Sequence, residues 1–216
     1  MYPVLHLPET AKQHLIIFTR YPEPGKTKTR LIPALGTEGA ANLQRQMTEH
    51  TLSQVKQLQK TSAISFEVRF AGGHLQLMQD WLGYDIAYQP QGEGDLGSRM
   101  AQSFYNAFQS GAEKVLTIGT DCPDVNDQIL AEAFKQLQQC DLVLGPAVDG
   151  GYYLIGLQRP VPELFINIDW GTSQVLQQTI DTAQTLNLLV DYLPLLADID
   201  RPEDLPIWEK LLGLTH

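Results

Sequence analysis

Cysteine is scarce in this 216-residue chain: it occurs only at Cys122 and Cys140. Two thiols without a C-x-x-C or histidine-flanked spacing exclude a zinc knuckle and a disulfide framework. They read as reduced thiols of a cytoplasmic protein. Long apolar runs are absent, and nothing approaches the ~20 residues that a membrane-spanning helix needs. The first residues, Met1 to Pro8, lack the basic start and apolar stretch of a signal peptide. Positive charge is in deficit, with 15 basic against 25 acidic residues and a formal charge of −10. That balance argues against nucleic acid or an anionic membrane as a partner. The loop over residues 20–30 matches neither G-x-x-x-x-G-K-[ST] nor G-x-G-x-x-G, and the five histidines form no ligand pattern. There is no internal repeat or low-complexity linker. Residues 1–216 therefore read as one domain with a loose lead-in over 1–13. No oligomeric state is implied.

What is present begins with Arg20-Tyr-Pro-Glu-Pro-Gly-Lys-Thr-Lys-Thr-Arg30. It follows the apolar run Leu15 to Phe18, which reads as a buried first strand. Pro22, Pro24 and Gly25 end that strand in a loop. Arg20, Lys26, Lys28 and Arg30 then form a positive island in which Glu23 is the one acid. On an acidic chain such an island suits a small anionic ligand, with backbone N–H groups and cations holding a phosphate chain. A solvated surface loop is the plainer alternative.

Along the chain, the patterns predict strands over 14–19, 64–70, 84–89, 114–118, 141–146, 152–157 and 188–192. Helices are predicted over 36–60, 74–82, 96–109, from about 124 to 138, over 173–186 and after Pro202. The stretch 164–172 reads as irregular. Alternation of strands and helices implies an α/β fold with a largely parallel sheet covered on both faces. Ligands of such sheets sit at the carboxyl ends of the strands. The cationic loop, the glycine loop Gly92 to Gly97, Asp121 and Asp149 each follow a predicted strand and should meet at one edge.

The acids divide by role. Asp121, directly after a central strand, suits Mg²⁺ or Mn²⁺, which take one or two carboxylates plus phosphate oxygens. Helix capping is its alternative, but Asp124, with Asp127 three residues on, fits the cap better. Asp149 precedes Gly150 and Gly151, which allow close approach to a ligand; a plain hairpin turn is the competing reading. Asp149 and Asp169 are the candidate general bases. Asp198 and Asp200 alternate, so in an extended segment both could face one cation, or Asp200 or its neighbours could cap the last helix. Asp121 and Asp200 are the candidate metal ligands. Gly25, Gly94, Arg99, Gly150 and Gly151 join the cations as candidate phosphate or substrate contacts. Cys122 reads as a buried thiol rather than a nucleophile.

Five stretches occur together and in order: Pro24 to Leu31, Gly94 to Met100, Ile118 to Asp124, Gly145 to Leu154 and Asp198 to Leu205. In them the chain resembles a bacterial family of glycosyltransferase-like proteins in the nucleotide-diphospho-sugar transferase superfamily. Some members of that family bear the name arsenosugar-biosynthesis glycosyltransferase. The resemblance spans about 14–208. It implies the GT-A fold, a Rossmann-like three-layer sandwich with a mostly parallel central sheet, and a divalent metal. A more distant similarity runs to the guanylyltransferases that make molybdopterin guanine dinucleotide or activate phospholactate. Those open with a Gly-rich loop and a single Arg, where this chain has one Gly and four cations. The leading expectation is a metal-dependent transfer from a nucleotide-diphospho-sugar to a small-molecule acceptor. Nucleotidyl transfer with release of pyrophosphate is the runner-up, and a non-catalytic nucleotide-sugar-binding protein the third reading.

Overall fold

A computed structural model describes residues 12–213. The expected lead-in lies outside the described residues except at its last two positions. There Lys12 O accepts hydrogen bonds from Glu113 and Lys114, and Gln13 opens the first strand. In chain order the elements are β1 (Gln13–Arg20), α1 (Ile32–Thr61), β2 (Ile64–Ala71), α2 (Leu75–Leu82), β3 (Ala87–Pro90), α3 (Leu96–Gln109) and β4 (Lys114–Ile118). They continue with α4 (Asp127–Gln136), β5 (Leu142–Pro146), β6 (Tyr152–Leu157), α5 (Val175–Thr185), β7 (Val190–Tyr192) and α6 (Leu205–Leu211).

The strands form one seven-stranded sheet in the order β3-β2-β1-β4-β6-β5-β7. β1 pairs in parallel with both β2 and β4, β2 with β3, and β5 with β7. β6 runs against both of its neighbours, so the sheet is mixed at that strand. The short turn after Pro146 leaves no room for the helical crossover that a parallel β5–β6 pair would need.

Side-chain alternation along each strand divides the core. Leu15 and Ile17 of β1 pack with α1, α2 and α4 on one face. Ile16 and Phe18 pack with α3 and α5 on the other. The result is a helix–sheet–helix sandwich. A third cluster joins Leu31, Leu43 and Met47 to Ile199 and Trp208, and so docks the C-terminal segment against α1.

Local chemistry moved several boundaries. A first turn precedes the expected start of α1, with Pro33 inside it, and Gly36 at φ 72° and ψ 172° kinks the helix there. β3 starts at Ala87, later than Tyr84. The Tyr84 hydroxyl instead donates to Asp80 of α2. The cap of α4 is Asn126, whose side chain accepts from Ile129 N at 3.0 Å, and not Asp124. The cap of the last helical segment falls on the neighbours of Asp200: Arg201 is the N-cap, and Asp204 accepts from the backbone N–H groups of Asp200 and Arg201.

Candidate functional site

The carboxyl end of β1 feeds directly into the cationic loop. Thr27 anchors the loop from within, its hydroxyl donating to Glu23 O at 2.8 Å. Lys28 then adopts a left-handed conformation, φ 44° and ψ 47°, rare for a residue with a Cβ and commonest where surroundings hold it in place. Here they do. Lys28 Nζ lies 2.8 Å from Asp121 Oδ1 and 2.6 Å from Ile199 O. Its side chain is only 5% exposed, whereas that of Asp121 is 57% exposed. Ile199 N in turn donates to Asp121 O at 2.9 Å. Three distant parts of the chain thus converge on one ammonium group.

Around it opens a cavity of about 480 Å³ at the carboxyl ends of the strands, a size usual for small-molecule sites. Arg20, Lys28, Arg99, Asp121, Asp149, Gly151, Asp198 and Asp200 all line it. The expected convergence of cations and acids at one sheet edge is present at these residues. Other candidates stand elsewhere. Lys26 turns outward to Glu23 at 2.8 Å and is 69% exposed. Arg30 pairs with Asp200 from outside the lining. Gly25 and Gly94 do not line the cavity; Gly94 packs on Ser98, whose N–H is capped by Asp95 at 2.7 Å. Asp169 is also outside the lining, and its carboxylate accepts from Gln178 of α5 at 2.7 Å.

The glycines after Asp149 answer to packing. A Cβ on Gly150 would come within 2.4 Å of Ser173 O, so this residue lets two backbones touch. Gly151 N donates to Asp149 Oδ1 at 2.8 Å, which fixes one carboxylate oxygen of a residue that lines the cavity.

The alternating acids part company. Asp200 faces Arg30. Asp198, half-buried, faces Asp149 and Asp121. Burial first, then the negative charge of Asp149, raises its carboxyl above the ordinary aspartate range. A carboxyl that, beside a like charge, releases its proton reluctantly suits a divalent cation, which would offset the repulsion. Among the described residues no three or more His, Cys, Asp or Glu side chains are gathered closely enough to hold a metal by themselves. The donor set fits the kind of site in which one or two carboxylates share the ion with phosphate oxygens. Burial, with the surrounding acids, also pushes the Cys122 thiol far up, so it stays protonated and is no nucleophile.

Several lining residues carried no readable signal in the sequence. Gln91 follows β3 and is buried. Its amide donates to Thr19 O at 2.9 Å, and its oxygen accepts from Arg99 Nη1 at 2.6 Å, so it sets the position of Arg99. Gln44 of α1 donates to Thr48 at 3.1 Å and to Thr19 and Thr120 at 3.3 Å. A glutamine inside an otherwise apolar helical stripe was the available clue. Trp170 lies in the stretch read only as irregular, and Gly97 makes space for it: a Cβ there would meet the indole at 2.7 Å.

Among solved structures, the chain is similar to a Desulfovibrio desulfuricans G20 protein provisionally described as a nucleotide-diphospho-sugar transferase. Identity is 32%, the TM-score is 0.87, and the match covers 93% of this chain and 87% of that one. It is also similar to 4-diphosphocytidyl-2C-methyl-D-erythritol synthase from Anaerococcus prevotii DSM 20548, at 12% identity and TM-score 0.63, over 95% and 97% of the two chains. A third likeness is to CMP:2-keto-3-deoxy-manno-octonic acid synthetase in complex with CTP, at 11% identity and TM-score 0.58, over 94% and 99%. At such identities the last two show a shared fold alone. The GT-A-like sandwich expected from the motifs is the fold observed. A family model described as "Uncharacterized protein conserved in bacteria (DUF2064)" matches residues 54–172. No curated protein matches the sequence.

Proposed function

We propose, for a chain that belongs to the bacterial DUF2064 family and has the fold of a nucleotide-diphospho-sugar transferase, a metal-dependent transfer of a sugar from a nucleotide-diphospho-sugar donor to a small-molecule acceptor. One observation carries this reading. Lys28 and Asp121, 93 residues apart in sequence, meet at 2.8 Å in a cavity that Arg20, Arg99, Asp149 and Asp198 also line. Cations that can hold a diphosphate and acids that can hold its counter-ion or take a proton share one space.

In this reading Lys28 leaves Asp121 for the incoming diphosphate, and Arg20 and Arg99 complete its cradle. The charge that develops on the leaving diphosphate is stabilised by these groups, set in place before the reaction. Asp149 takes the proton of the acceptor hydroxyl. The acceptor oxygen bonds to the anomeric carbon, the bond from that carbon to the diphosphate breaks, and nucleoside diphosphate departs with the electron pair. Asp121 and Asp198 are the residues suited to hold Mg²⁺ or Mn²⁺, which supplies Lewis-acid neutralisation of the diphosphate when bound. Asp200 contributes through Arg30, and Asp169 through the seat of α5. Placement in the arsenosugar-biosynthesis branch is a finer part of the same proposal, supported by the five ordered motifs.

The deciding experiment incubates the protein with Mg²⁺ or Mn²⁺ and a panel of UDP-, GDP- and dTDP-sugars. Release of nucleoside diphosphate is expected. Pyrophosphate released from nucleoside triphosphates, with no turnover of the sugars, would replace this reading by nucleotidyl transfer. Nucleotide-dependent melting shifts without either product would leave a binding protein.

A further inference from the structure

The cavity has two walls of unlike character. Lys28, Gln44, Thr120 and Asp121 stand on the side of the sheet rim that faces α1. The other side faces α3 and α5, and there Phe18, Met100, Thr117, Ile155 and Trp170 present no charge. Thr117 pairs with Ile16 of β1 and Ile155 of β6, both in the apolar layer of that face.

Among the described residues three polar atoms on this wall lack a hydrogen-bond partner, Thr117 Oγ1, Tyr152 Oη and Trp170 Nε1. Thr117 is only 4% exposed. A buried hydroxyl without a partner is costly, and valine would suit a central strand at least as well. The fold alone gives no reason for a hydroxyl there, and a ligand does. Charge sharpens the choice of ligand. Arg99, on α3 beside this wall, is held by Gln91 Oε1 at 2.6 Å and serves the donor diphosphate in the reading above; Phe18, Met100, Thr117, Ile155 and Trp170 bring no cation of their own, so a second phosphate placed against them would be unpaired.

We infer that this wall is the acceptor subsite and that the acceptor is an uncharged, hydroxyl-bearing ring, with Thr117 and Trp170 as its polar contacts. The inference rests on the glycosyl-transfer reading and separates it from nucleotidyl transfer to a phosphorylated acceptor. The tryptophan indole offers an apolar body with one polar edge, as a hydroxylated ring requires. Gly97 seats that indole by letting the α3 backbone approach it.

Ligand-observed NMR tests the subsite with two probes, phenyl β-D-glucoside and phenyl phosphate. The glucoside is expected to bind, to bind more tightly than the phosphate, and to stay bound at saturating UDP or GDP. Thr117→Val should weaken it at least fivefold, Thr117→Ser less than twofold, and Trp170→Phe about as much as the valine variant. The melting temperature of free Thr117→Val should match or exceed that of the unaltered protein, which shows that the variant folds. The assignment is overturned if phenyl phosphate binds better, if nucleotide displaces the glucoside, if the glucoside does not bind, or if Thr117→Val leaves its affinity unchanged. Turnover of nucleotide-sugars separates the two layers. Turnover without glucoside binding defeats the subsite alone, whereas glucoside binding without nucleotide-sugar turnover defeats the transfer reading and leaves a neutral-ring site.

Discussion

Asp198 and Asp121 sit in the same electrostatic field and should respond differently to loss of charge. The folded carboxyl of Asp198 titrates above its unfolded value because of burial and its neighbour Asp149. Its contribution to stability is therefore present when the group is protonated and is lost as pH rises through the raised folded value. Asp198→Asn should raise the melting temperature at pH 7, and the gain should shrink toward zero below about pH 4, the ordinary aspartate range. A melting curve series from pH 3 to 8 checks the sign. Asp121 is instead matched to Lys28 at 2.8 Å, and in the proposed function it serves as a metal ligand. Asp121→Asn should abolish any shift in melting temperature that depends on Mg²⁺ or Mn²⁺ in the presence of nucleotide. An undiminished shift would remove its metal role. The Asp-x-Asp spacing announced two carboxylates on one side but not their separate partners. Arg30 and Asp149 come from far along the chain, beyond what a period of two can specify.

At the scale of elements, close approach and buried charge hold the site's supports in register. Gly150 lies between β5 and β6 and touches the backbone leading into α5, since its absent Cβ would fall 2.4 Å from Ser173 O. Leu176 N also donates to Gly150 O at 2.9 Å. Gly150→Ala should therefore cost about 1–3 kcal/mol in urea unfolding, and it should widen the gap between Asp149 and Trp170. Along β1 and β2, Glu67 is completely buried with His14 and Arg69 beside it. Burial alone would raise its carboxyl, but the neighbouring His14 and the Arg69 charge outweigh burial and hold it below the ordinary range. Element positions were mostly legible because period and breakers agree: α3, β4 and β6 begin and end where the sequence places them. The caps were less legible. Asp124 and Asn126 both satisfy the local rule, and only the path of the chain after Pro123 selects the second.

The whole molecule closes the cavity by bringing its C-terminal segment back to the cationic loop. Ile199 and Trp208 pack with Leu31, Leu43 and Met47. Trp208 meets His50 edge-on at 6.0 Å, and His50 Nε2 donates to Pro123 O at 2.9 Å. None of these three, Trp208, His50 or Pro123, lines the cavity, yet together they set the distance between the Asp198–Asp200 wall and Asp121. Trp208→Ala should cost about 3–5 kcal/mol of stability. It should also weaken nucleotide binding measured at a temperature where the variant remains folded. Full affinity in a folded Trp208→Ala protein would show that the C-terminal wall is held by Lys28 and Arg30 alone.

By itself the sequence determined the α/β class, the order of elements and the edge at which charged loops gather. Each of these follows from local periodicity and from the rule that parallel strands expose their carboxyl ends together. It also determined the chemical kinds of group available there. Only the tertiary structure decided which of them share the cavity and with what partners: Lys28 inside and Lys26 outside, Asp198 beside the other acids and Asp200 in the lining but paired with Arg30, Asp149 in the lining and Asp169 bound to α5. Neighbouring residues in a loop differ by a rotation of the backbone that composition does not encode. Their partners lie up to 171 residues away, as Lys28 and Ile199 do. Burial, which raises the carboxyl of Asp198 above its ordinary range and leaves Thr117 unpaired, is a property of the packed molecule and exists only once the chain has closed on itself.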